Sequence, residues 1–67
     1  MSTLTTDEIK MLERELARPD LSIYAVCRMA LVDVRNGLYS SAIVRLRVDA
    51  DKLRCYDTPI NAFLLRA

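Results

Sequence analysis

Apolar residues recur at helical spacing along most of this chain, and the breaks between the runs are sharp. Ile9, Leu12 and Leu16, with Met11 beside them, mark one face of a first helix. Thr5-Thr6-Asp7-Glu8 is its start signal. Thr5 can accept from the Glu8 amide while Glu8 reaches back, and both acids suit the positive end of the helix dipole. Pro19 stops this helix near Ala17 or Arg18. Asp20 is placed to cap a second helix, whose broad apolar face is Ile23, Val26, Cys27, Ala30, Leu31 and Val34. Asn36-Gly37 ends it, with the glycine in the left-handed position. A third helix starts at Ser40 or Ser41 and carries Ile43, Leu46, Ala50 and Leu53 as its stripe. Asp57-Thr58-Pro59 stops it and starts a short apolar segment, with Pro59 suited to a first helical position.

The pattern predicts an all-α fold. A helix over 6–18 precedes a helical hairpin over 21–56, forming a three-helix antiparallel arrangement, and a short C-terminal helix follows over 59–66. A rival reading pairs strands. Leu31 to Arg35 and Val44 to Val48 alternate, and Asn-Gly is a strong hairpin signal. The residues directly after Gly37 do not alternate, however, and the second alternating patch starts too far away for a two-residue turn. Ala25, Met29, Ala42, Leu46 and Leu53 add helix propensity.

Gly37-Leu38-Tyr39-Ser40-Ser41-Ala42-Ile43, with Leu46 following and Met29-Ala30 upstream, resembles one hairpin of the tetratricopeptide type. In that family a glycine ends one helix, an aromatic follows two residues later, and a small alanine lets the next helix approach closely. The likeness runs from Ala25 to about Ala50 and departs at Asp49, where a small residue is expected. A generic antiparallel helix pair with a glycine turn has the same geometry.

Length changes the picture next. A chain of 67 residues is a single domain, 1–67, and buries only about 60% of its unfolded surface. Such chains usually need disulfides, a metal or a partner. Cys27 and Cys55 are too few for a disulfide framework and, with no histidine, offer no metal site. Association is the remaining route, so a homodimer or a complex with a protein partner is expected. Tyr39, Ile43, Leu46, Leu53, Ile60, Phe63 and Leu64 are the candidate partner or dimer interface, and Tyr24 and Tyr56 are further anchors.

Net charge is +1, with an uneven distribution: residues 1–20 sum to −2 and residues 21–67 to +3. The alternative function, a small nucleic-acid-binding regulator, would use Arg45, Arg47, Lys52 and Arg54 on a basic third helix. Arg45–Asp49 and Arg47–Asp51 at i,i+4, and Asp49–Lys52 and Asp51–Arg54 at i,i+3, neutralise that face locally. A helix-turn-helix outline also puts Asp33 where packing favours a small apolar residue.

Catalysis is not expected. There is no histidine, the carboxylates fall on faces expected to be exposed, and neither cysteine has an evident base. No cofactor is implied. The polar, acidic start does not read as a signal peptide, and no run approaches a membrane span, so a cytoplasmic location with reduced thiols is expected. The sequence reading is a small non-enzymatic protein-binding module or regulator that acts through an apolar helical face. In size and build it resembles bacterial accessory factors, secretion co-chaperones and small phage regulators.

Overall fold

A computed structural model describes residues 4–66 as five helices: α1 (Thr6–Leu16), α2 (Ala25–Arg35), α3 (Tyr39–Val48), α4 (Ala50–Leu53) and α5 (Pro59–Arg66). Among the described residues there is no strand, so the alternating patches around Gly37 are helical. No helix there is long and apolar enough to cross a membrane.

The capping box at α1 forms as the sequence implies. Thr5 Oγ1 accepts from the Glu8 amide at 3.1 Å and Glu8 Oε1 accepts from the Thr5 amide at 2.9 Å. The helix ends at Leu16, two residues earlier than the pattern alone gives. Asp20 does not cap α2. The N-cap of α2 is Tyr24, four residues further on, and the Asp20 carboxylate instead accepts from Arg18, from Nε at 3.1 Å and Nη2 at 2.8 Å. The segment 17–24 runs instead as successive turns, closed by bonds such as Ser22 N–H to Arg18 C=O at 2.8 Å. It inserts Leu21 fully into the core before α2 begins at Ala25.

At the other end of α2 the backbone closes a Schellman motif. The Gly37 amide donates to the Val34 carbonyl at 3.1 Å and the Leu38 amide to the Asp33 carbonyl at 2.8 Å, with Gly37 at φ +78°. The third helix is interrupted at Asp49, whose φ of −110° departs from helix geometry, so α3 and α4 form a bent rod rather than one helix. α5 occupies the expected span, and Thr58 Oγ1 accepts from the Ile60 amide at 3.3 Å in its first turn.

α2 is central and packs on both α1 and α3. α5 closes the open side against α1, α3 and α4. The core joins Leu12 and Leu16 of α1, Cys27, Ala30 and Val34 of α2, Ala42 and Leu46 of α3, Leu53 of α4, and Ile60 and Phe63 of α5. Ala30 and Ala42 are both fully buried where α2 meets α3, which is the role small residues have in a close helix pair. Each large side chain in this set contributes roughly 1.5–3 kcal/mol on burial.

Candidate functional site

The expected interface does not survive as a surface. Leu46, Leu53, Ile60 and Phe63 are at most 2% exposed, because α5 folds back and the chain's own helices cover them. Tyr39, Ile43 and Leu64 are half-buried and keep one edge at the surface. Helical spacing marks an apolar stripe without stating whether the same chain or another covers it. That information lies in the packing of α5.

The basic residues are also redistributed. Arg45 does not pair with Asp49. Its Nε donates to Asp33 Oδ2 at 2.7 Å, which also accepts from Ser41 Oγ at 3.2 Å, so a buried carboxylate on α2 pins α3. Asp49 pairs with Lys52 at 3.6 Å and Asp51 with Arg54 at 3.4 Å, as spaced. Arg47 has no carboxylate partner among the described residues. The four cations therefore do not act as one free basic row.

Two grooves flank the α3–α4 rod. One, of about 410 Å³, lies between α2 and α3. Ala25, Val26 and Met29 form one wall, Val44 and Val48 the other, and Arg45, Asp49 and Lys52 the charged rim. Met29, Val44 and Val48 are 47%, 59% and 77% exposed, so three large apolar side chains meet at one open face. The other groove, of about 480 Å³, lies between the rod and α5. Arg47, Ala50 and Arg54 line one side and Asn61, Leu64 and Leu65 the other. The Asn61 amide nitrogen fixes that junction by donating to the Leu53 carbonyl at 3.0 Å, which also accepts from the Tyr56 amide, and to the Tyr56 carbonyl at 3.1 Å, just past the end of α4.

Two polar clusters lie outside the grooves. Glu15, expected on an exposed face, is buried. It accepts from Arg18 Nη1 at 2.8 Å and Thr58 Oγ1 at 3.0 Å, and Arg18 also donates to the Asp57 carbonyl at 2.9 Å. The Arg18 hydrogen bond outweighs burial and holds the Glu15 carboxyl below its ordinary range. Glu15 and Thr58 lie 43 positions apart, so no local spacing announces them. In the second cluster, Tyr24 and Tyr56 share a hydrogen bond at 2.7 Å between hydroxyls, their rings edge to face at 6.0 Å. Lys52 Nζ sits 6.0 Å over the Tyr24 ring. The bond to Tyr24 pushes the Tyr56 phenol up to about 12.

These groups hold the fold and are poorly suited to proton or group transfer. A general acid needs a raised carboxyl pKa, and Glu15 moves the other way. Cys27 is buried, and burial pushes its thiol up, away from a reactive thiolate. Among the described residues no cluster of candidate ligands could hold a metal ion. Comparisons with known protein families, curated proteins and solved structures return no match.

Proposed function

We propose that this protein is a small non-enzymatic protein-binding module whose apolar α2–α3 face receives a helix or extended segment of a partner. The observation that carries this reading is the meeting of Met29, Val44 and Val48, all substantially exposed, in one groove between two helices. Single exposed apolar residues are ordinary on protein surfaces, but several sharing a concave face mark an interaction site. Groove-docking of an amphipathic element reads out apolar anchors at such a face. The nucleic-acid reading has less support, since Arg45 is held by the buried Asp33 and Lys52 pairs with Asp49, which leaves no continuous row of free cations.

The test is a pair of pull-downs from lysate of the source cells, using the wild type and the Val44→Asp/Val48→Asp variant. Both sites are exposed, so circular dichroism should show an unchanged helical fold. A protein retained by the wild type and lost by the variant supports the reading. Identical retained proteins on the two baits sink it.

A further inference from the structure

The groove on the other flank of the rod has a different chemistry. Its lining holds two guanidinium groups, one amide, three aliphatic side chains and no carboxylate. Arg47 has no acidic partner among the described residues. Arg54 touches only Asp51, at 3.4 Å, with the two side chains 78% and 90% exposed. A pair so open to water is worth little and is exchanged at small cost. Leu65 is 90% exposed and Leu64 half-buried on the facing wall. The groove thus presents one unpaired and one loosely paired arginine on one side and uncovered apolar surface on the other.

We propose that this groove binds an acidic amphipathic segment of a partner protein, a helix with leucine-type anchors flanked by carboxylates. Charge complementarity selects the occupant. Guanidinium groups take carboxylates through paired hydrogen bonds, and Arg47 and Arg54 both line this groove. They lie seven positions apart, on either side of the bend at Asp49. Carboxylates two turns apart on a partner helix, at i and i+7, give each of the two long arginine side chains an acceptor, and the residues between them face Ala50, Leu64 and Leu65. A nucleic acid needs a row of cations and gains from aromatic platforms, whereas this lining interrupts its cations with aliphatic groups and has no aromatic ring. A lipid surface needs a broad apolar face on a convex helix, whereas this one is concave.

This extends the protein-binding reading to a second surface, and the two can fail separately. Val44→Asp/Val48→Asp alters only the α2–α3 face, and Arg47→Glu/Arg54→Glu only this one. The probe is a fluorescent Ala/Leu helical peptide with glutamates at i and i+7, titrated by anisotropy against wild-type protein. Its binding should weaken at least about tenfold when both glutamates become glutamine, and by a similar factor with Arg47→Glu/Arg54→Glu. A peptide with lysines in place of the glutamates should recover the binding of that variant. Leu65→Asn, a change at an exposed site, should also weaken the glutamate peptide. The proposal is overturned by any of four results: no binding to wild type up to about 1 mM, equal affinity for the glutamate and glutamine peptides, an unchanged affinity in Arg47→Glu/Arg54→Glu, or displacement of the peptide by an oligonucleotide or anionic vesicles that bind more tightly through the same arginines.

Discussion

Gly37 shows what one residue can decide. Its φ of +78° is open to glycine and strained for other residues, and nothing lies within 4 Å of where a Cβ would stand. The cost of a side chain there is therefore in the backbone alone. Gly37→Ala should lose about 1 kcal/mol in urea unfolding, and Gly37→Asn less, because asparagine tolerates the left-handed region. Equal losses for both would contradict that account. The Tyr24–Tyr56 pair makes a second prediction at this scale. In Tyr24→Phe the bond that raises Tyr56 is gone, so its phenol should titrate nearer the ordinary value of about 10 than the value of about 12 it has when paired. Phenolate absorbance against pH reads the change directly, and an unmoved titration would locate the cause elsewhere.

Between elements, the tie from α1 to the start of α5 is the Glu15 carboxylate on Thr58 and Arg18. Its folded pKa is lowered from the ordinary carboxyl value, chiefly by the Arg18 hydrogen bond. A depressed carboxyl contributes stability above the unfolded pKa and loses that contribution as pH falls through the folded one. Glu15→Gln should cost about 1–3 kcal/mol at neutral pH, and the gap from wild type should narrow in acid. Chemical denaturation at neutral pH and near pH 3 tests this, and a gap of constant size would remove Glu15 from the acid limb. Asp20, held low by the same Arg18, keeps its own share of that limb in both proteins. Elements with local signals were legible in the sequence: the Thr5–Glu8 box, the Asn36-Gly37 stop and the Pro59 start all involve neighbours within one turn. What was not legible involves competition between near and distant partners. Arg45 had Asp49 at ideal spacing and took Asp33 instead, Asp20 pairs with Arg18 while α2 starts only at Ala25, and no local spacing marks the bend at Asp49. The same limit hid the fate of Leu46, Leu53, Ile60 and Phe63, because a stripe's periodicity does not record what covers it. In the second groove, Leu64, Arg47 and Arg54 were all singled out in the sequence, yet under two separate functions. Only the packing of α5 against the rod brings them together.

For the whole molecule, the surface left after folding is 4338 Å². A monomeric protein of this mass is expected to expose about 4300 Å². The Cα radius of gyration is 10.5 Å, against about 11 Å expected for a compact domain of this length. Within one chain α5 covers the core, so burying those side chains does not by itself require association. Light scattering at micromolar concentration should return the mass of one chain, 7.6 kDa. Twice that mass would restore the case for a self-interface. Closure by α5 has a topological corollary. Arg66 Nη2, in the last turn of the fold, reaches Glu8 Oε2, in the first, at 3.4 Å. A cut in the exposed bend around Cys55 would therefore leave α5 held in place by its contacts with α1, α3 and α4 alone.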